Sequence, residues 1–222
     1  MDLNVSGTEP TNSQIDKLGE RLKSGSLSPS DLTLLAAYRN GFALAAKAVF
    51  DVVSDLSGLL PAIRSEKTTL SVVAKLKREG IRLSQMQDIS GCRVTVESLA
   101  AQNMLTGLLL NAFPDSKLYD RCAKPTHGYR AKHVVVKQLG KWIEIQVRTT
   151  AQHGWALLSE KASDIFQQDL KYGIGSSEVL EALQLFSALI AKEENTGTYL
   201  DAAQMMKMVH SVTEFLEQQN FK

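Results

Sequence analysis

The chain has 222 residues, 44% hydrophobic and 22% charged, with 25 lysines and arginines against 24 acids for a net charge of +1. That composition fills the core of a medium domain with helical extensions. It excludes a disordered chain, and its near-neutrality excludes wrapping of DNA by bulk charge while leaving room for a local cationic cleft. Two cysteines, Cys92 and Cys122, are too few for a disulfide framework, and no leader-like or ~20-residue apolar run occurs, so the sequence reads as a cytoplasmic protein with no membrane partner.

Residues 1–12 are polar and aperiodic, and are expected to be disordered. A helical extension over 13–60 follows, with apolar residues at helical spacing over 13–22 and again from Pro29 or Ser30 to about Leu60. Ser30 is the expected N-cap there, and Gly58 and Pro61 mark the end. The core, 61–172, contains a helix over 69–80, opened by Thr68 or Thr69 and closed by Gly80. A strand after Asp88 leads into a helix over 98–112 that stops before Pro114. A second strand enters through Gly128 into Val134, Val135 and Val136, and a third spans 142–149. Helical pattern resumes from Trp155 to Phe166, Gly173-Ile174-Gly175 breaks it, and helices over 177–191 and 198–218 complete a C-terminal segment, 173–222. The fold class is α/β (α+β), a small mixed β-sheet flanked by helices.

Three strand segments carry chemistry. In Trp142-Ile143-Glu144-Ile145-Gln146-Val147-Arg148-Thr149 strict alternation puts Ile143, Ile145 and Val147 on a core face and ranks Glu144, Gln146 and Arg148 on the other. A carboxylate can hold a metal, a carboxamide can read a base edge and a guanidinium can clamp a phosphate. Asp88 precedes a glycine-containing turn whose strand carries Arg93 and Thr95 on one face, and Tyr129, Arg130 and His133 enter the third segment. As sheet neighbours, Asp88 and Glu144 would form a carboxylate pair suited to Mg²⁺. Lys67, Ser71, Lys75 and Arg78 fall at i, i+4, i+8 and i+11, one column on a helix, which by itself is most simply a solvated face.

Asp88-Ile89-Ser90-Gly91-Cys92-Arg93 resembles the Asp-Ile-Ala-Gly-x-Arg of the synthetase domain of the RelA/SpoT family. Gly128-Tyr129-Arg130-Ala131-Lys132-His133 is similar to its Gly-Tyr-Arg-Ser-x-His, and Glu144-Ile145-Gln146-Val147-Arg148-Thr149 to its Glu-Ile-Gln-Ile-Arg-Thr, in the same order, with Trp155-Ala156 following. The likeness runs from about Arg64 to Lys161 and implies a nucleotidyltransferase-like synthetase fold. It also implies transfer of pyrophosphate from ATP to the ribose 3′-hydroxyl of GDP or GTP, with release of AMP, as in the family's small single-domain alarmone synthetases. On that resemblance Asp88 and Glu144 are catalytic and bind Mg²⁺, and Arg64, Lys67, Ser71, Lys75, Arg78 and Arg93 bind ATP. Lys124, Tyr129, Arg130, His133, Gln146, Arg148 and His153 serve the acceptor, Tyr129 by stacking on its base, so that phenylalanine would substitute for it.

The chain also departs from the pattern. Ser65 stands where relatives place an arginine, with Arg64 one residue earlier. Lys124 is five residues before Tyr129 where relatives show four, His153 replaces an asparagine, and Ser159-Glu160 replaces Glu-His. Glu160 is thereby turned by ~100° on a helix and is given no role. Two other functions fit the resemblance, a toxin-type enzyme acting on the 3′-end adenosine of tRNA or on an adenine nucleotide, and a catalytically silent nucleotide- or RNA-binding domain. No His-Asp dipeptide, the core of the family's hydrolase domain, occurs. A Met-rich stripe over 199–215 offers a homo-oligomer interface or, more simply, packs on its own domain.

Overall fold

The computed structural model describes residues 9–64, 67–197 and 202–220. Most of the residues expected to be disordered, 1–8, lie outside it, and Thr11 already caps the first helix, α1 (Asn12–Ser24). The single helix expected over 30–60 is two helices, α2 (Pro29–Asn40) and α3 (Ala43–Ser57), and the N-cap of α2 is Ser28, not Ser30. The bend was hidden because its two sides share one core: Tyr38 and Phe42 are both buried and meet edge to face at 5.2 Å. Helix α4 (Thr69–Glu79) starts at the Thr68 cap and ends on Gly80, whose φ of 63° is the left-handed conformation that favours glycine.

Five strands form one sheet in the order β1-β2-β5-β4-β3, comprising β1 (Ala62–Arg64), β2 (Ser90–Val96), β3 (Lys117–Asp120), β4 (Lys132–Gln138) and β5 (Lys141–Thr149). Only β2 and β5 pair in parallel, and α5 (Leu99–Ala112) opens the long connection between them. Strands β1 and β3 were not anticipated, because three and four residues are too few to display a period of two. Gly91 stands opposite Glu144, where an added Cβ would lie 2.1 Å from the Glu144 carbonyl oxygen. The glycine after Asp88 is therefore required by strand pairing as well as by the turn.

Helices pack on both sheet faces. Ile143, Ile145, Val147, Val94, Val134 and Val136 meet helices α1 to α5 in the larger core. The smaller core joins Tyr129 and Ala131 to α6 (Thr150–Phe166), α7 (Ser177–Thr196) and α8 (Ala202–Asn220). Helix α6 begins five residues before the expected Trp155, because Thr149 caps it in a reciprocal box with Gln152, and α7 runs five residues beyond 191. In the methionine stripe Tyr199 lies outside the described residues, as does the side chain of Phe215. Met205 and Val209 are buried within the chain's own second core. With this second layer in place, the polar face of β5 is largely covered: Glu144, Gln146 and Arg148 are 8%, 4% and 2% exposed.

Gly91→Ala should cost about 3 kcal/mol by forcing β2 and β5 apart. Gly107→Ala, in an α5 position with nothing within 4 Å of the added Cβ, should stabilise by about 0.5–1 kcal/mol. Urea unfolding of the two variants checks both signs.

Candidate active site

The polar sheet face opens into a cleft of about 300 Å³. One wall carries cations from β1, α4 and the segment between them (Arg64, Lys67, Lys75 and Arg78), the floor carries Asp88, Glu144 and Gln146, and the opposite wall carries His133, Tyr129, Thr126 and Arg121. Lys171 and Tyr172, on a short 3₁₀ turn (Leu170–Tyr172) after α6, close the remaining side.

Asp88 lies just before β2, where Lys67 Nζ approaches one carboxylate oxygen at 3.1 Å and Lys75 Nζ the other at 2.9 Å. Glu144 is held differently. Arg64 Nη1 donates to its Oε2, Gln146 Nε2 donates to the same oxygen at 2.9 Å, and His133 Nδ1 lies 2.7 Å from Oε1. The two acids therefore face one cleft but are bound by separate cations, and they are not opposed across the sheet: Glu144 stands opposite Gly91, three residues beyond Asp88. Burial alone would raise the Glu144 pKa. The hydrogen bond from His133, with the Arg64 charge and the Gln146 hydrogen bond, overrides burial and holds the carboxyl well below its usual range.

The network continues through the Tyr129 hydroxyl, which accepts from Arg148 Nη2 at 2.8 Å and lies 2.8 Å from His133 Nε2. An arginine can only donate, so the hydroxyl hydrogen is free to point at Nε2. That leaves His133 Nδ1 as the N–H that donates to Glu144. Arg148 also donates to Gln146 Oε1 at 3.1 Å, which makes Glu144, Gln146, Arg148, Tyr129 and His133 one closed circuit. Tyr129 is 8% exposed and its edge meets the His133 ring, so its hydroxyl is a structural centre as well as its ring a cleft wall. The expectation that phenylalanine would serve equally is therefore corrected.

Several expected site residues lie elsewhere. Ser71 is exposed and spends its hydroxyl on Thr68 at the start of α4, outside the cleft lining. Lys124 is exposed in the loop before Gly128, and Arg130 borders a separate groove beside α7. Arg93, Arg148 and His153 are grouped by their mutual electrostatics, and none of them lines the cleft. Burial first, then the charges of Arg93 and Arg148, push the His153 pKa down to about 4. Glu160 is the carboxylate that opposes this cluster, and it also acts on Lys171. Lys171 and Tyr172 were not anticipated, since a lysine and a tyrosine in a glycine-ended turn carry no periodicity.

Residues 64–169 match the family model described as the region found in RelA / SpoT proteins. The uncharacterized protein Rv1366 of Mycobacterium tuberculosis is 29% identical over 170 residues, which are 73% of this chain and 62% of that protein, and the Mb1401 protein of Mycobacterium bovis matches equally. The chain thus spans under two thirds of the length of these relatives. Among solved structures, small alarmone synthetase 1 of Bacillus subtilis bound to its product pppGpp superposes with a TM-score of 0.56 at 21% identity, over 72% of this chain and 94% of that one. A GTP pyrophosphokinase family protein of Streptococcus pneumoniae gives 0.55 at 19% identity, over 86% and 98%. The mixed α/β fold is that of these solved structures. The likeness to the RelA/SpoT region covers residues 64–169, just under half of the chain.

Two outcomes test this geometry. Tyr129→Phe should lower stability by about 1–3 kcal/mol, because Arg148 and His133 lose a buried partner; thermal unfolding measures it. For His153 the folded pKa of about 4 lies below the ordinary 6.5, so the unfolded chain binds more protons between those values. The stability it contributes is complete above pH 6.5 and is lost as pH falls toward 4. His153→Asn should therefore flatten the stability profile in that window, as read by denaturant titration at several pH values.

Proposed function

We propose that the cleft transfers the β,γ-pyrophosphoryl group of ATP to the ribose 3′-hydroxyl of GDP or GTP. The observation that carries this reading is charge. Six cations (Arg64, Lys67, Lys75, Arg78, Arg121 and Lys171) line a cleft that holds three carboxylates, Glu79, Asp88 and Glu144, an excess suited to two polyphosphate substrates at once. The family region and the fold of the pppGpp-bound neighbour support the same chemistry.

The residues fit Mg²⁺. Asp88 Oδ1 is cut off from solvent with no hydrogen-bond partner, only the ion-pair contact of Lys75. Asp88 and Glu144 are the two carboxylates on the cleft floor. That donor set is what Mg²⁺ uses when one or two carboxylates hold it and substrate phosphates complete its shell. Asp88 is the ligand we assign, with Glu144 the second candidate, and the bound metal would neutralise charge on the phosphates. Lys67 and Lys75 would then exchange Asp88 for phosphate oxygens, and Arg78 would extend the same column. The 3′-oxygen attacks the β-phosphorus, a new P–O bond forms, and the bond from that phosphorus to the α,β-bridging oxygen breaks, so the bridging oxygen leaves on AMP.

Glu144 can take the hydroxyl proton only when Arg64 turns from it to the nucleotide, a move that also raises its basicity by removing a cation. Until then it anchors His133 and, through it, the Tyr129 wall. Gln146 and Tyr129 face the acceptor's side of the cleft, where a carboxamide and a ring can engage a purine.

Protein mixed with ATP, Mg²⁺ and, separately, GDP, GTP, ADP or tRNA should release AMP in step with a guanine acceptor. Acceptor-dependent AMP from tRNA or ADP alone would replace the guanine assignment, and ADP with orthophosphate as products would overturn pyrophosphoryl transfer. Asp88→Asn should abolish turnover with the fold intact, whereas Lys75→Ala should raise the KM for ATP more than that for the acceptor.

A further inference from the structure

Among the cations of the cleft, Lys171 is placed unlike the rest. Lys67 and Lys75 pair with Asp88, Arg64 with Glu144, and Arg78 with Glu79, while Arg121 stands exposed at the mouth. Among the described residues Lys171 enters no ion pair, although it is largely withdrawn from water. Its Nζ lies 5.8 Å from the centre of the Tyr129 ring. Withdrawing an ammonium from water without a counter-ion is unfavourable, and packing its stem gives no reason for the charged end to point into a cleft.

The turn that carries it is fixed at both ends. Leu170 is 1% exposed in the second core. Gly173, at φ 72°, has the His127 ring packed where a side chain would project, an added Cβ lying 2.3 Å from Cε1. Tyr172 sits under the Arg78 guanidinium, 3.8 Å from its ring centre, and so ties the turn to α4. Lys171 is therefore a positioned cation between the two walls: Tyr129 lies on the acceptor side, and Lys67 and Arg64, whose charges it feels, lie on the ATP side.

We propose that Lys171 is a ligand for substrate phosphoryl oxygens, set at the seam between the two nucleotide halves of the cleft so that it holds the group in transit. The inference rests on the pyrophosphoryl-transfer reading and adds a residue from outside the three motif segments. Burial first holds the Lys171 pKa below the ordinary lysine range; the Glu160 charge pulls the other way, the charges of Arg148, Arg64 and Lys67 add to the depression, and an anionic ligand would reverse that penalty.

The test uses Lys171→Met, which keeps the stem and removes the charge, beside Lys171→Arg in the full chain. Inorganic pyrophosphate with Mg²⁺ is titrated calorimetrically, thermal unfolding is recorded, and kcat and KM are then measured for both substrates. Lys171→Met should bind pyrophosphate about tenfold to a hundredfold more weakly, with unfolding temperature unchanged or raised, and should lose more in kcat than in either KM. Lys171→Arg should stay within about threefold of the parent. Parent-like pyrophosphate binding by Lys171→Met would overturn the inference, as would a parent chain that binds no pyrophosphate or a Lys171→Arg variant as impaired as Lys171→Met. Should Lys171→Met fail to fold, Lys171→Gln takes its place with the same criteria. A parent chain that binds pyrophosphate through Lys171 but forms no AMP would uphold the phosphate site and overturn the transfer reading.

Discussion

The Glu144 carboxylate is buried in the middle of β5, and it stays ionised there only because Arg64 from β1 and His133 from β4 meet it from two sides. A buried charge deprived of its partner costs about 3–5 kcal/mol, so this cluster ties the edge strand and the neighbouring strand to the centre of the sheet. His133 passes the constraint to Tyr129, Tyr129 to Arg148, and Arg148 back to Gln146. The Tyr129 wall of the cleft is thus part of the same network that lets a carboxylate exist at its floor.

The rest of the cleft carries charge that the fold does not neutralise. Asp88 is shared by two lysines, and Lys171 stands without a carboxylate partner among the described residues. An arrangement of this kind is unfavourable without a ligand and would become favourable with an anion bound. The second helical layer matters for the same reason. By covering much of the polar face of β5 it lowers the local dielectric, in which a cation acts more strongly on any anion it meets.

Much of this was legible in the sequence, for identifiable reasons. The alternation of Ile143, Ile145 and Val147 with Glu144, Gln146 and Arg148 set both the strand and the division of its faces, and Thr68 and Gly80 bounded α4 through local capping chemistry. Alternation cannot say what covers a face, so the burial of Glu144 and the engagement of the Tyr129 hydroxyl were not visible. The bend at Gly41 and Phe42 was masked because its apolar residues continue into one core, and β1 and β3 were too short to show a period. Helical spacing put Ser71 in the cation column, yet its hydroxyl turned to the Thr68 cap, a local competition that spacing does not reveal. Lys171 reached the cleft through the packing of Leu170 and Gly173, contacts made across long sequence separations.

The central claim is that the cleft moves an intact pyrophosphoryl unit. ATP labelled at the β-phosphorus, incubated with the protein, Mg²⁺ and a guanosine 5′-diphosphate or triphosphate acceptor, tests it most directly. The account predicts that the label travels wholly to the acceptor's 3′-position while unlabelled AMP accumulates in equal amount. Label retained in ADP, with only the γ-phosphoryl group transferred or released, would contradict it.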